Sequence, residues 1–525
     1  MCELDPNALD ASIRILEEEL QGLKSNENRL HQTEKELYRQ LREVHEDIYG
    51  NQKATQEADK AIRTKQSLKK ERENILLPAV ALPPEILSMI FRETIDNFED
   101  GLNGELCNAP MSLLLSWVCR RWRTIVVENP RFWTCINLHH CLQYNLAPYL
   151  SRSAGFQLAI MSGTWDKADE DKYEDRRREI QRFFSQFLRH AHRWQLLLVT
   201  GLDYPPLREL YYWLSKARTR TLRVIDLSSD QATGRTMPLF GAFCHPNLQS
   251  LSLQGIHIPA GFTAPNLKLL TLRGTQDNFT VPHANLHQLL VSATLLSQLE
   301  LDVELVKFNA EEVGSISLPN LWHLGLYFTK IDSRQLRRVL TMISAPALDF
   351  IELEATGDEC RQKPSEGSDF KSFSVDGQPR YPTVTRASFS GMVRDREDFE
   401  DLVHAFPNIK GVNLSSVDIP LCISVLEHPG PDSDMDNPSM RNEWPDLDDL
   451  QLDALAAKSC FPELCKWLER RRAGGCELVS LDFTSDLERE GPEDREWLAK
   501  LGELESLDDI ISLVHCWGEG DLGTD

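Results

Sequence analysis

The residue types best suited to hold a metal ion lie near the C-terminal end of the chain. Cys460, Cys465, Cys476 and His515 supply three thiols and one imidazole, which are ligands that zinc prefers. Their spacings match no zinc-finger or zinc-ribbon pattern, and the 12 cysteines of the chain follow no disulfide framework. The sequence therefore predicts reduced thiols in the cytoplasm or nucleus and no metal site.

Catalytic motifs of the common kinds are absent from the sequence. It contains no phosphate-binding loop, no His-Glu-x-x-His, no Gly-x-Ser-x-Gly and no dinucleotide-binding Gly-x-Gly-x-x-Gly. Three basic clusters, at 69–72, 176–178 and 470–472, lack interleaved aromatic residues, which is more typical of a solvated helix face than of a nucleic-acid patch. We therefore expect no catalytic residue, no cofactor and no nucleic-acid partner.

The length and charge of the chain point to several domains with acidic surfaces. A chain of 525 residues predicts roughly three to four units. The net charge is −24, and residues 431–525 hold 25 acidic and 9 basic residues, so 25 − 9 = 16 of the surplus charges lie there. This charge argues against nonspecific binding to nucleic acid or anionic membranes. No apolar run approaches the length of a membrane-spanning helix.

A heptad seam predicts a long helix over residues 8–77. No proline occurs between Pro6 and Pro78, and Glu27 and Glu34 interrupt the seam. The apolar seam positions are Ile13, Leu16, Leu20, Leu23, Leu30, Leu37, Leu41, Val44 and Ile48. Such a stripe needs a partner, so the helix is expected to pair with a second copy as a homodimer through residues 8–74, to fold back on itself, or to dock on a partner. The remaining alternative is a solvated, highly charged single helix.

Two helical motifs follow this segment. Pro83, Pro84 and Glu85 are suited to the first turn of a helix, and apolar residues recur behind them up to Ile95. After a long acidic loop, at 97–109, a second helical pattern runs from Pro110 to Asn129, and residues 132–138 then read as a strand.

These motifs resemble the F-box, in the F-box-like form common in basidiomycete fungal proteins. The resemblance lies in Leu82–Leu87, Val118–Arg123 and Pro130–Trp133. In that family the module docks on the Skp-type adaptor of a cullin-RING ubiquitin ligase, and Trp133 would close the helical core. The resemblance implies an adaptor-binding surface formed by Leu82, Pro83, Ile86, Leu87, Ile90, Val118, Cys119 and Trp122.

The pattern Leu-x-x-Leu-x-Leu recurs through the rest of the chain. Nine clear copies begin at residues 222, 248, 267, 296, 321, 348, 409, 447 and 478, and two weaker copies begin at 194 and 384. Ten steps between 194 and 478 give a repeat of about 28 residues, which resembles irregular leucine-rich repeats. The alternative is a generic α/β domain, although one doubly wound sheet rarely supplies so many similar strands.

Turns and helices are predicted between these strands. Pro-Asn precedes four copies, at Asn247, Asn266, Asn320 and Asn408, and indicates a turn before each strand. Helix-compatible segments lie at 285–291, 333–343, 397–404 and 462–472. Two stretches poor in aliphatic residues, at 357–382 and 428–445, predict flexible, exposed insertions.

The alternation of side chains along each strand predicts a target-binding surface. Residues three, five and seven of each copy would face the open concave side of the sheet. Eight of these residues are acidic and two are basic. This excess of acids predicts a target protein with a basic segment. The equally weighted alternative is that the acids only keep the repeats soluble. The nominated residues are Glu300, Asp302, Tyr327, Phe350, Glu352, Glu354 and Asp449.

The predicted fold class is a mixed α+β, α/β-repeat protein in four parts. These are a coiled-coil helix at 8–77, an F-box at 78–135, a leucine-rich-repeat solenoid at 136–500, and a cap with an acidic tail at 501–525. The resemblance implies a noncatalytic substrate-recognition subunit of a Skp/cullin/F-box ubiquitin ligase, reaching the cullin through the adaptor. The alternative is a coiled-coil scaffold that uses the F-box without cullin.

Overall fold

The structure is a computed structural model, and it divides into two compact units. The helical unit comprises residues 1–97 and 111–127, and the sheet unit comprises residues 98–110 and 128–525. The structure describes residues 6–75, 82–100, 111–137, 146–162, 187–199, 219–228, 246–258, 260–274, 280–308, 314–329, 333–355, 369–427, 444–453, 460–476, 478, 480–485 and 513–518.

The helical unit begins with α1 (Pro6–Ile75), a helix of 70 residues. Ion pairs within the helix support its exposed faces, as where Arg39 contacts Glu36 at 2.7 Å and Glu43 at 2.9 Å. Every side chain that the structure describes between residues 10 and 73 is exposed, including the seam leucines. The helix therefore buries none of its seam within the described part of the chain.

Three shorter helices complete the helical unit: α2 (Pro84–Asp100), α3 (Met111–Val118) and α4 (Arg120–Glu128). Helix α2 begins at the second proline of the pair, with Glu85 in its first turn, as the sequence predicts. It continues to Asp100, beyond the expected start of the acidic loop at 97, and residues 101–110 lie outside the described part.

The sheet unit is built on fourteen parallel strands that neighbour one another in chain order. They are β1 (Cys135–Asn137), β2 (Leu158–Ser162), β3 (Trp194–Val199), β4 (Val224–Ser228), β5 (Ser250–Gln254), β6 (Leu269–Arg273), β8 (Gln298–Asp302), β11 (His323–Phe328), β13 (Phe350–Ala355), β16 (Arg386–Ser390), β17 (Gly411–Ser415), β18 (Asp449–Asp453), β19 (Ser480–Ser485) and β20 (Leu513–Gly518). Three two-stranded pairs lie beside this sheet: β7 (Val281–Pro282) with β9 (Val306–Lys307), β10 (Ile316–Ser317) with β12 (Ile343–Ser344), and β14 (Ser374–Val375) with β15 (Gln378–Pro379).

Each of the eleven predicted Leu-x-x-Leu-x-Leu copies contributes one strand, from β3 to β19, to one large parallel sheet, so the predicted mixture of helices and repeated strands is confirmed. Strand β2 was not predicted. Strand β1 covers only part of the predicted 132–138 strand, because Pro130–Trp133 forms a 3₁₀ helix. Strand β20 lies where a terminal cap was expected, and it pairs with β19 as one more parallel strand.

Alternation along the strands gives the sheet two different faces. Leu299 and Leu301 of β8 are fully buried and lie in register with Leu324 and Leu326 of β11. The residues between them, such as Glu300, are only half-buried and lie on the opposite side, called here the polar face. Rows of leucines thus form the core on one side of the sheet, and polar side chains line the other.

The connections from one strand to the next carry the remaining helices. They are α5 (Ala147–Arg152), α6 (His283–Ser292), α7 (Ser333–Met342), α8 (Arg396–Ala405), α9 (Ile419–Glu427) and α10 (Phe461–Ala473), with 3₁₀ helices at Leu188–Arg193, Val303–Leu305 and Asp369–Phe373. The four predicted helical segments are present as α6, α7, α8 and α10. Helix α9 was not predicted.

The asparagines of the four Pro-Asn turns join successive repeats. Each donates its side-chain amide N–H to a backbone carbonyl of the preceding repeat: Asn247 to Arg220 and Asn266 to Pro246 at 2.6 Å, and Asn320 to Thr294 and Asn408 to Pro382 at 2.9 Å. Threonine hydroxyls do the same at two other turns, where Thr221 donates to Trp194 and Thr383 to Leu348. These side chains satisfy carbonyls that the parallel ladder leaves unpaired.

Two predicted ranges do not coincide with the divisions of the structure. The division between the units, at residue 127, falls inside the range predicted for the F-box (78–135). Residues 369–382, predicted to be part of a flexible insertion, are packed: Phe370 and Phe373 are fully buried, and the Tyr381 hydroxyl donates to Ile343 at 3.2 Å. Aromatic residues fill this part of the core where aliphatic residues are missing. Residues 357–368 and 428–443 lie outside the described part.

We predict that Asn266→Ala combined with Asn320→Ala lowers the free energy of unfolding by about 2 kcal/mol, about 1 kcal/mol for each lost hydrogen bond. Urea unfolding followed by far-UV circular dichroism measures the change. Asn413→Ala is the matched control, because the buried Oδ1 of Asn413 has no hydrogen-bond partner. An equal loss in the control would contradict a specific role for the turn asparagines.

Candidate functional site

The eight residues predicted to bind an adaptor do not share one surface. Ile86, Ile90 and Val118 are 42%, 45% and 55% exposed. Pro83 is also exposed, whereas Leu82, Cys119 and Trp122 are half-buried. Leu87 is only 1% exposed, so its assignment to a docking surface is wrong.

Leu87 belongs to the interior of the hairpin formed by α2, α3 and α4. It lies one turn before Phe91 and two turns before Ile95, and all three side chains are buried on the same helix face. The ring of Phe91 packs on that of Trp122 with centroids 4.6 Å apart. The indole Nε1 of Trp122 is buried without a hydrogen-bond partner, so Trp122 also serves chiefly as a packing residue.

Arginines hold the ends of these helices in place. Arg121 donates to the backbone carbonyl of Leu82 at 2.7 Å, which ties α4 to the residue that precedes α2. Arg123 donates to the carbonyl of Ser116 at 2.9 Å and satisfies a carbonyl near the end of α3. Two of the three arginines of the Val118–Arg123 motif, Arg121 and Arg123, thus fix the hairpin.

Two exposed apolar side chains were missed by the sequence analysis. Met89 is 68% exposed and Trp117 is 54% exposed. Spacing offered a signal for Met89, because it lies three residues after Ile86 and on the face opposite to Leu87 and Phe91. We call the set Ile86, Met89, Ile90, Trp117 and Val118 the apolar surface.

Trp133, expected to close the helical core, belongs instead to the sheet unit. It is fully buried, with its ring 5.1 Å from that of Tyr149 and with the Arg152 guanidinium 4.3 Å from the ring centroid. The tryptophan therefore packs the first repeat of the sheet unit.

Six of the seven nominated target-binding residues lie together on the polar face. Gly325 of β11 is in register with Glu300 of β8 and Glu352 of β13, and Tyr327 is in register with Asp302 and Glu354. Phe350 lies at the start of β13. We call Glu300, Asp302, Tyr327, Phe350, Glu352 and Glu354 the polar cluster. Asp449 lies on β18, separated from β13 by β16 and β17.

Tyr327 is buried within the polar cluster and has only 3% of its surface exposed. Its ring lies beside Gly325, where a Cβ atom would be 3.1 Å from Tyr327 Cε2. The Arg273 guanidinium covers the ring at 3.0 Å from its centroid, and the hydroxyl donates to Glu352 at 3.0 Å. The expectation that Tyr327 offers apolar contact to a target is therefore wrong.

Two carboxylates of the polar cluster already have partners. Arg273 pairs with Glu300 at 3.1 Å. Glu352 accepts from Tyr327 and lies 3.5 Å from His323 Nε2, and His323 lowers the pKa of Glu352 below its usual value. The negative charge of these two residues is therefore largely compensated within the chain.

The other two carboxylates of the polar cluster remain uncompensated. Burial raises the pKa of Asp302 to about 6, although Asp302 accepts the Gly274 N–H. Burial also raises the pKa of Glu354, which makes no ion pair within the described residues. At Asp449, burial and the nearby Asp482 and Asp448 raise the pKa in the same direction. These sites favour a proton or an incoming cation.

Phe350 is half-buried at the edge of the polar cluster. Its ring packs on His323 with centroids 4.7 Å apart, and the Arg386 guanidinium lies 5.7 Å from the ring centroid. Arg386 in turn pairs with Asp349 at 2.9 Å.

Among the described side chains, no three His, Cys, Asp or Glu residues lie together as metal ligands would. Cys460, Cys465 and Cys476 form no disulfide with one another, and burial raises the pKa of Cys460 and Cys465. The side chain of His515 lies outside the described part. Within the same part of the chain, no helix is both long and apolar enough to span a bilayer.

Comparison with known proteins found no family model that matches the chain and no curated protein that matches it.

We predict that Asp302→Asn stabilises the protein more as pH rises. Folding raises the pKa of Asp302, so the folded state holds this proton more tightly than the unfolded state. Ionisation of the Asp302 carboxylate therefore lowers the free energy of unfolding of the wild type. This loss grows between about pH 4 and pH 6, reaches at most about 3 kcal/mol, and is fully present above that range. Urea unfolding at pH 4, 5, 6 and 7 measures it.

Asp376→Asn is the control for this comparison, because Asp376 is exposed at a hairpin turn with φ of 52°, which asparagine also tolerates. Wild-type and Asp302→Asn stability curves that stay parallel from pH 4 to 7 would contradict the prediction.

Proposed function

We propose that the protein is a noncatalytic substrate-recognition subunit of a Skp/cullin/F-box ubiquitin ligase. The observation that carries this proposal is the apolar surface on the helical hairpin, in a segment whose residues resemble an F-box. The cullin would be reached through the Skp-type adaptor, and catalysis would belong to other subunits. The proposed location is the cytoplasm or nucleus, because the cysteines follow no disulfide framework and fit reduced thiols.

The exposure of the hairpin residues supports adaptor binding. A small hairpin that buries Leu87, Phe91 and Ile95 has no internal need for further large apolar side chains. It nevertheless exposes Ile86, Met89, Ile90, Trp117 and Val118. Exposed apolar patches mark protein-binding sites, and aromatic and aliphatic anchors supply most of the binding energy there, so we assign these five side chains to one docking surface. The proposed adaptor contacts are therefore the apolar surface together with Pro83.

The sheet unit would bind the target. Its ordered repeats, with leucine rows on one side, support the interpretation as leucine-rich repeats stacked in a solenoid, in which the polar face is the open surface. Glu300, Glu352 and Tyr327 are engaged by neighbours, so Asp302, Glu354, Asp449 and the edge of Phe350 remain to contact a target. Their uncompensated charge favours a basic segment.

The long helix favours a second role, self-association. Its seam leucines are about half to two-thirds exposed, and a second copy offers a matching stripe without any further component. Glu27 and Glu34 occupy seam positions and would face each other in a parallel dimer, which keeps the affinity low to moderate. If this role dominates, the protein is a coiled-coil scaffold that uses its F-box without cullin.

We predict that Ile86→Ala with Ile90→Ala weakens binding to a purified Skp-type adaptor at least thirtyfold, since truncating anchors in a desolvated groove costs about 2 kcal/mol or more. Biolayer interferometry with the full chain measures the affinity. Val291→Ala with Val375→Ala is the matched control, because both residues are exposed and lie in the sheet unit.

Wild-type adaptor affinity in the Ile86/Ile90 variant would end the adaptor proposal. Affinity purification with mass spectrometry separates the two roles: cullin recovered with the adaptor supports the ligase, and adaptor without cullin supports the scaffold.

We predict a concentration-dependent dimer of the full chain, with a mass approaching 120 kDa, or twice 60.0 kDa. Leu20→Glu with Leu37→Glu should give a monomer, because each change places a charge in the seam. Ile15→Glu with Tyr49→Glu adds the same charge at exposed positions outside the seam and should leave the dimer intact. Analytical ultracentrifugation gives the masses. A wild-type monomer at high micromolar concentration would exclude self-association.

A further inference from the structure

A groove of about 250 Å³ crosses the amino-terminal edge of the sheet between β2 and β8. Arg223 and Lys268 supply its two cations, Gln249 and Asn247 lie between them, and Leu295 lies at one end. None of the residues that line this groove is acidic, although acidic residues outnumber basic ones 81 to 57 in the chain. The groove is distinct from the polar cluster and from the apolar surface.

Hydrogen bonds between successive repeats fix the positions of the residues that line the groove. Asn247 and Asn266 donate their amide hydrogens to carbonyls of the preceding repeats, which fixes their side chains in its floor. The backbone N–H of Arg223 bonds to Gln195 at 2.8 Å, and that of Lys268 bonds to Gln249 at 2.7 Å. The two cationic residues therefore extend from fixed backbone positions, and their side chains are exposed.

Neither cation of the groove is neutralised by an ion pair within the described residues, in contrast to three arginines elsewhere in the sheet unit. Arg273, Arg386 and Arg394 each contact a carboxylate at 3.1, 2.9 and 2.8 Å. Within the described residues, neither Arg223 nor Lys268 makes such a pair. They precede β4 and β6, two strand spacings apart, which is about 10 Å.

We propose that this groove binds an acidic peptide segment of a partner protein in an extended conformation. In an extended polyproline II chain, two carboxylates three residues apart lie on the same face about 9 Å from each other, which matches the distance between the backbones of Arg223 and Lys268. Arginine and lysine both bind carboxylates through charge-assisted hydrogen bonds. Leu295, 45% exposed one strand beyond Lys268, contacts an apolar residue that follows the second carboxylate.

Two separated cations favour two carboxylates over one phosphate group. A single phosphorylated side chain presents its charge at one point and would leave one cation unpaired or bend both side chains toward it. The net charge of −24 opposes an acidic partner at long range, but at physiological salt the Debye length is about 8 Å, so charges close to the groove dominate the contact. This proposal does not depend on adaptor binding.

The test uses the full chain and a fluorescein-labelled peptide, Glu-Ser-Ser-Glu-Ser-Leu, followed by fluorescence anisotropy at about 150 mM salt. We expect saturable binding that weakens at least tenfold for the Gln-Ser-Ser-Gln-Ser-Leu peptide. Arg223→Glu with Lys268→Glu should weaken binding of the glutamate peptide by a similar factor. Both residues are exposed, so this variant should keep the wild-type far-UV circular dichroism spectrum.

Lys307→Glu with Arg337→Glu is the matched control, because it changes the net charge equally at exposed positions outside the groove. We expect it to bind the peptide with wild-type affinity. Three results would overturn the proposal: no saturable binding up to about 1 mM protein, an equal loss of affinity in the control, or binding only of a peptide with phosphoserine in place of the first glutamate.

Discussion

Stacking of each repeat on the next is the interaction on which the sheet unit depends. A parallel strand bonds only to its two neighbours, and its leucines are buried only when the leucine rows beside them are present. Backbone carbonyls in the turns also find their donors across repeats. Turn asparagines supply some of these donors. Buried Arg471 supplies others, since it donates to the carbonyls of Trp444 and Leu447 at 3.1 to 3.3 Å.

The same stacking determines the chemistry of the polar face. Side chains 25 to 28 residues apart become neighbours at the spacing of adjacent strands, and carboxylates there lose part of their hydration. Where a neighbouring strand provides a partner, as β11 does for Glu352 through the His323 ring and the Tyr327 hydroxyl, the pKa falls. Where it provides none, as at Glu354, the pKa rises. Gly325 adds a steric element, since a Cβ atom there would lie 3.1 Å from Tyr327 Cε2 and the ring would have to shift.

The helical unit has no such repetition, and its surface is correspondingly different. Its small hairpin buries one side of α2 and leaves five large apolar side chains exposed, while α1 exposes its whole seam in the described part of the chain. The sheet unit keeps its large apolar side chains mostly inside and exposes charge. The two units are therefore suited to different partners, apolar ones for the helical unit and charged ones for the sheet unit.

The sequence by itself determined the elements: the long helix, both helical motifs, eleven strands and four of the connecting helices. Their signals are local, since a period of two, three and a half or about 28 residues and the placement of proline can be read along the chain.

Only the tertiary structure decided which side chains stay available. Leu87 and Ile86 are adjacent in sequence but lie on different faces of a helix, about 100° apart, and which face is covered depends on Trp122 in another helix. Tyr327 follows the strand pattern of an exposed residue, yet Arg273 and Gly325 bury it. The groove joins residues from five connections. Such contacts follow from the strand register and from packing between distant segments, which no local pattern encodes.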